Sequence, residues 1–286
     1  MSGRIDPSDP RVSTLVEQFR GNQINRRQFL TRGAAVLGSL AAANSVLASI
    51  TLPPAPEPRV AGAFFSEGMF VDYPGPGEGY VSTPDGAGAY PGVIVVQEWW
   101  GIDDHIKSVV RRLAAEGFVA IAPDLYHGQV ATEPDEARKY VMELERDVAL
   151  EEIQNAANYL ISRPDVSSSK VGIVGFCMGG GLALQMAVRG ENFAVAAPFY
   201  GSPLNADQAA QVRIPVIGSY GEMDQSIPVP AVRAMEEAIR AAGQRVDIQL
   251  YPAGHAFFND DRESFHAESA SDAWMRTLTA FRRYLF

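Results

Sequence analysis

"VGIVGFCMGGG", residues 171–181, places the only cysteine of the chain between glycine-flanked positions, directly after a run of apolar and β-branched residues. In Gly175-Phe176-Cys177-Met178-Gly179 the spacing is that of G-x-S-x-G, a sharp strand-to-helix turn that lifts its central side chain above a sheet, with sulfur in place of the hydroxyl. Glycines at 179, 180 and 181 let the helix approach the strand closely and let the turn adopt a strained backbone. A cysteine there lies at a helix N-terminus, which favours the thiolate. The N–H of Met178 would point at whatever the sulfur attacks. A small, idle, buried thiol is the plain alternative, so partners elsewhere in the chain decide its role.

Outward from this turn, short apolar runs alternate with helical patterns from residue 90 onward. That is the βαβ rhythm of a mostly parallel central sheet with helices on both faces. Strands are predicted at 92–99, 118–126, 171–176, 193–200, 215–220 and 246–251. Helices are predicted at 105–117, 134–146, 148–163, 178–189, 230–243 and 269–286. Upstream, "MFVDY" and "GYVSTP" form a short antiparallel pair. One open α/β sheet accounts for this order, and such sheets bind ligands at the carboxyl ends of their strands.

A nucleophilic thiol needs a base, and in a hydrolase sheet of this type the acid and the histidine follow the nucleophile in the chain. His255, in "LYPAGHAF" just after strand 246–251, can swing over the turn, whereas His266 lies among polar helix formers and reads as a solvated side chain. His105 and His127 precede the cysteine and read as structural or pocket-lining. After "PVIGSY", the loop "GEMDQSIP" offers Glu222 and Asp224, of which Asp224 is the better placed to orient His255. A second oxyanion donor is expected from the N–H of Trp99, at the end of strand 92–98. Glu98 beside it is a carboxylate closing a buried strand, which is costly unless something pairs with it. Trp100, Tyr126, His127 and Phe257 are the candidates for the pocket wall; Trp99 and Trp100 also suit core packing at a sheet end.

The 286-residue chain is 47% hydrophobic, enough for a large core, and carries 34 acidic against 24 basic residues, net −10. That balance speaks against a nucleic-acid-binding surface. Residues 1–48 differ in composition: Arg26 and Arg27, then Phe29 and Leu30, lead into an uncharged Ala/Gly/Leu stretch that resembles a twin-arginine export signal, with small residues at Ala48 and Ser49 suited to cleavage. The stretch is too rich in small and polar residues for a stable membrane span; an uncleaved leader acting as a membrane anchor is the alternative. Export machinery is then a transient partner, and the mature protein is periplasmic or extracellular. Removing the segment takes away six basic and three acidic residues and leaves 18 against 31, net −13. Residues 49–62, with four prolines between 51 and 60, read as an extended linker, and 63–286 as the catalytic domain. In an oxidising compartment a lone cysteine has no partner for a disulfide, which favours a reactive role for Cys177.

Taken together, "QEWWG", "APDLY", "GFCMGG", "GEMDQSIP" and "GHAF" resemble the dienelactone hydrolase family, in order and context, over residues 63–286. The resemblance implies the α/β-hydrolase fold, a hydrolase of lactones and esters, and no cofactor or metal. It implies Cys177 as nucleophile, His255 as base, Asp224 as its orienting acid, and Glu98 as the glutamate that contacts the resting thiol and hands it over when substrate arrives. Members that cleave dienelactone hold its carboxylate with two arginines; here those places are Gly128 and Asn259, which predicts a preference for neutral substrates unless Arg262 or Arg138 reaches the site. A catalytically silent binding domain and a thiol redox sensor built on Cys177 are the competing classes.

Overall fold

The computed structural model of the chain describes residues 10–20, 23–24, 26–37, 43, 46, 67–75 and 77–286. The first helices are α1 (Pro10–Arg20) and α2 (Arg26–Leu37), where Leu15, Ile24 and Phe29 share a small apolar cluster. Arg26 and Arg27 are the first two residues of α2. Ala48, Ser49 and the proline-rich linker lie outside the described residues. Among the described residues, no helix is long and apolar enough to cross a membrane.

The strands are β1 (Met69–Tyr73), β2 (Gly77–Ser82), β3 (Gly92–Val96), β4 (Val119–Pro123), β5 (Val171–Phe176), β6 (Phe193–Phe199), β7 (Val216–Gly221) and β8 (Val246–Tyr251). They form an eight-stranded sheet in the order β1-β2-β4-β3-β5-β6-β7-β8. The β1–β2 and β2–β4 pairs are antiparallel and the others parallel. β3, β4, β5 and β7 are buried along their whole length, which is why they read as unbroken apolar runs.

Alternation along each strand sends side chains to two layers. Val93, Val95, Val174 and Phe176 pack beneath α3 (Asp104–Ala115) and α9 (Ala267–Leu285), meeting Ile106, Val109, Leu113 and Phe281. Ile94, Val96 and Ile173 face α5 (Arg146–Ser162), α6 (Met178–Arg189) and α8 (Val229–Ala241), meeting Ile153, Leu184 and Val232. Between these elements, α4 (Pro134–Glu143) packs Ala137 and Tyr140 against Trp99 and Trp100, and the short α7 (Ala206–Ala209) packs on α8. The sequence offers no apolar period for α7, which rests instead on a reciprocal cap between Asn205 and Gln208.

Three strands, β3, β4 and β6, end earlier than their apolar runs. β3 stops at Val96, so Gln97, Glu98 and Trp99 belong to the turn above the sheet, closed by a bond from Gly101 N–H to Glu98 O. The reason lies in α6, whose first turn presses on this point: a Cβ on Gly179 would stand 2.4 Å from the Val96 carbonyl oxygen and 2.5 Å from that of Gln97. A Cβ on Gly175 would stand 2.1 Å from Gly179 O. Only glycine permits this approach of strand, turn and helix.

Candidate active site

Cys177 joins β5 to α6 with φ 52° and ψ −112°, a conformation costly for any residue with a Cβ. It stands its side chain on the carboxyl end of the sheet. His255, in the loop after β8, brings Nε2 to 3.1 Å from Cys177 Sγ, and its Nδ1 lies 2.6 Å from Asp224 Oδ2. A carboxylate only accepts hydrogen bonds, so Nδ1 carries the proton and Nε2 turns its lone pair to the sulfur. Asp224 is buried, and its Oδ1 accepts from the N–H groups of Ser226 and Ile227 at 2.8 and 3.0 Å. Glu222 is exposed and takes no part.

Burial pushes the Cys177 thiol up to about 12; the charges of Glu98 and Asp224 add to this, and the N–H of Met178 opposes it. The thiolate expected from the helix N-terminus is thus overridden by desolvation and by neighbouring anions. The sulfur rests as a thiol facing an imidazole lone pair.

Glu98 is 2% exposed, and both of its oxygens are held: Oε1 accepts from Tyr200 Oη–H at 3.0 Å and Oε2 from Asn259 Nδ2 at 2.7 Å. Its pKa is raised by burial, opposed first by the charge of His105 and then by these two bonds. The contact between Glu98 and the thiol implied by the family resemblance is therefore replaced by bonds to neutral donors, while the thiol faces His255. The sequence around Tyr200 and Asn259 carries no signal that marks them as partners of Glu98. Tyr200 follows β6 at φ 37° and sets its ring 5.2 Å from that of His255, whereas the sequence reads it as the last residue of a strand. Asn259, the place of a missing arginine, is fully buried and occupied with Glu98.

The thiol opens onto a cavity of about 770 Å³ bordered by Trp99, Trp100, Met178, Leu182, Ile227 and Arg262, with Arg146 at its edge. The Arg262 guanidinium lies 3.8 Å from the Trp100 ring centre. Arg138 is exposed and paired with Asp135 on α4, so it does not line this cavity.

Three of the pocket-wall candidates fall elsewhere. Tyr126 and His127 line a separate cavity of about 300 Å³, where His127 faces the buried Glu152 at 3.4 Å. Tyr126 reaches the site only through its hydroxyl, 3.6 Å from Met178 Sδ. Phe257 is fully buried against Tyr200, Tyr251 and Phe199, because the turn at Ala256, φ 57°, drives the chain into the core right after His255. His266 is not merely solvated: it caps α9, its Nδ1 accepting from Ser269 N–H at 3.3 Å. Among the described residues, no group of three or more His, Cys, Asp or Glu side chains is arranged to hold a metal ion.

Residues 78–285 match the dienelactone hydrolase family. The chain belongs to this family. It is 38% identical over 222 residues to the "Putative carboxymethylenebutenolidase" of Yersinia pestis, covering 72% of this chain and 83% of the relative. Over 213 residues it is 37% identical to the protein of the same name from Escherichia coli K12, covering 69% and 78%. The crystal structure of a "Putative Dienelactone Hydrolase" from Klebsiella pneumoniae superposes with a TM-score of 0.70 at 33% identity, covering 78% of this chain and 99% of that one. This dienelactone hydrolase family member is a hydrolase acting on ester bonds, on an α/β sheet of eight strands.

Because an anionic Glu98 raises the thiol pKa, Glu98→Gln will shift the pH profile of Cys177 alkylation by iodoacetamide to lower pH. Burial is the larger cause, so the midpoint will stay above that of an ordinary thiol. A profile unchanged by the substitution would show that Glu98 bears no charge in the free enzyme.

Proposed function

We propose that the protein hydrolyses a lactone or carboxylic ester by acyl transfer through a thioester on Cys177. The observation that carries this reading is the continuous line from Asp224 through His255 to the Cys177 sulfur, 2.6 and 3.1 Å, at the mouth of the large cavity. As sulfur attacks the carbonyl carbon, the thiol proton passes to His255 Nε2, so no standing thiolate is needed and a thiol held near 12 is compatible with catalysis. The carbonyl oxygen, now an anion, is received by the backbone N–H groups of Met178 and Trp99. Collapse breaks the ester C–O bond, and the leaving alkoxide takes the proton from His255. Water then attacks the thioester, giving its proton to His255, and the thiol is restored as the acid departs. From a lactone, the alkoxide stays tethered and the product is a single ring-opened acid.

The substrate's charge follows from which cations border the cavity. Neither position of the missing arginines supplies one: Gly128 gives its N–H to Asp124 at 2.7 Å, and Asn259 is bonded to Glu98. Arg262 and Arg146 do border it. We therefore read the Trp100 side as the place for a substrate carboxylate, in place of the neutral preference suggested by Gly128 and Asn259 alone.

We also read residues 1–48 as a twin-arginine-type export segment, 49–62 as a linker and 63–286 as the catalytic domain, which places the mature enzyme in the periplasm or outside the cell. The family match begins at residue 78, clear of the segment. Replacing Arg26 and Arg27 together by Lys will leave an active enzyme in the cytoplasm, as cell fractionation reads it. Unimpaired export would remove the export reading and leave the catalytic one untouched.

Cys177→Ala will abolish ester turnover, and His255→Ala will fall to the same floor, since members of one catalytic unit are not additive. Near wild-type rates in Cys177→Ala would overturn the assignment. On a matched pair of p-nitrophenyl esters, one ending in a methyl group and one in a carboxylate, Arg262→Ala will lower kcat/KM for the acid on the order of tenfold more than for the neutral ester. Equal losses on both would mean that Arg262 serves only to pack Trp100.

A further inference from the structure

His105, the second residue of α3, is 2% exposed, and its Nδ1 lies 2.8 Å from Asp260 Oδ1, a partner 155 residues away. Its Nε2 is buried without a hydrogen-bond partner. The ring meets Phe176 at 6.2 Å and Phe258 at 5.9 Å, edge-on to both. Phe176 immediately precedes Cys177, and Phe258 immediately precedes Asn259, which holds Glu98. One imidazole thus touches the first turn of α3, the strand end that bears the thiol and the loop that bears His255. Packing alone does not call for it, because an apolar side chain would fill the same space against Phe176 and Phe258 without leaving a buried ring nitrogen unpartnered.

The charges around it give a further reason. Glu98 receives its hydrogen bonds from neutral donors, and His105 is the foremost charge opposing its desolvation. Asp103, the cap of α3, feels His105 as well, together with Arg262 and Asp261. On the outer side Asp260, 56% exposed, acts on Arg112, whose guanidinium lies 5.1 Å from the Phe258 ring centre. Two Asp–His pairs therefore flank the turn of Cys177: Asp224–His255 directed at sulfur, and Asp260–His105 packed against Phe176.

We propose that His105 and Asp260 form a positioning unit of the active site, which pins the loop carrying His255 and Asn259 to α3, keeps Asn259 bonded to Glu98, and through Glu98 sets the reactivity of Cys177. This rests on Cys177 being the nucleophile of ester hydrolysis.

The test uses the full chain with His105→Leu, His105→Gln and Asp260→Ala. It reads kcat/KM on p-nitrophenyl acetate, the pH profile of Cys177 alkylation by iodoacetamide, and Tm. In His105→Leu, the released loop withdraws the Asn259 bond from Glu98, which favours the protonated carboxyl and moves the alkylation profile to lower pH, and kcat/KM falls on the order of tenfold or more. In His105→Gln, the amide N–H again donates to Asp260, so most of kcat/KM and of the wild-type alkylation profile return. Asp260→Ala, at a half-exposed position that leaves the core intact, shifts both readouts in the direction of His105→Leu and carries the test if the leucine variant does not fold. With Glu98→Gln already present, His105→Leu adds no further alkylation shift. Variants with a lowered Tm but wild-type kcat/KM and alkylation profile would reduce the pair to a structural role, and a full shift persisting in the Glu98→Gln background would overturn the route through Glu98. If the wild type hydrolyses no ester, the acyl-transfer reading fails by itself and the alkylation arm still decides this inference.

Discussion

The backbone at Cys177 is held in a left-handed conformation by contacts that leave no room for a Cβ on either side. Gly175 meets the carbonyl of Gly179, and Gly179 meets the carbonyls that end β3. Strand, turn and helix are thereby compressed into one rigid unit, and the cost of φ 52° at a residue with a side chain is offset by the packing of α6 on β5 and β6. Everything chemical follows from that placement. The sulfur stands above the carboxyl ends of the parallel strands, where the turns after β3, β6, β7 and β8 bring Glu98, Tyr200, Asp224 and His255 around it.

Those turns create an electrostatic setting that is hostile to a free thiolate. Two buried carboxylates lie near the sulfur, and burial itself disfavours its charge, so the helix N-terminus is outweighed. A site of this kind protects its thiol until a base and a substrate act together. That has a second consequence, because oxidants react with the thiolate rather than with the thiol. A redox sensor works through a readily formed thiolate, and burial and the neighbouring carboxylates work against one at Cys177.

Glu98 shows how one carboxylate can be kept in a dry place without a bonded arginine. A phenol and a carboxamide each give it one hydrogen bond. Asn259 is central to this: its side-chain nitrogen donates to Glu98, its side-chain oxygen accepts from Asp261 N–H, and its neighbour Asp260 bonds His105. The loop after β8 is therefore tied at His255, at Asn259 and at Asp260. Each tie reaches a different part of the chain.

The amino-acid sequence by itself determined the local units of this protein. The apolar run and glycines of residues 171–181 specify β5, the turn and α6, which the structure places at Val171–Phe176 and Met178–Arg189 as the pattern predicts. The short apolar runs specify a mostly parallel sheet, and the chain order of Cys177, Asp224 and His255, each just past a strand, specifies which side chains can meet. These are properties of neighbours in the chain, set by periodicity and turn chemistry. Only the tertiary structure decided the rest. Whether Tyr126 and His127 face the same cavity as the thiol, what holds Glu98, what Asn259 does in place of an arginine, and which way the thiol titrates all depend on groups far apart in the chain, 52 residues for Tyr126 and Met178 and 161 for Asn259 and Glu98. Burial and through-space charge are sums over such groups, and no short stretch of sequence contains them.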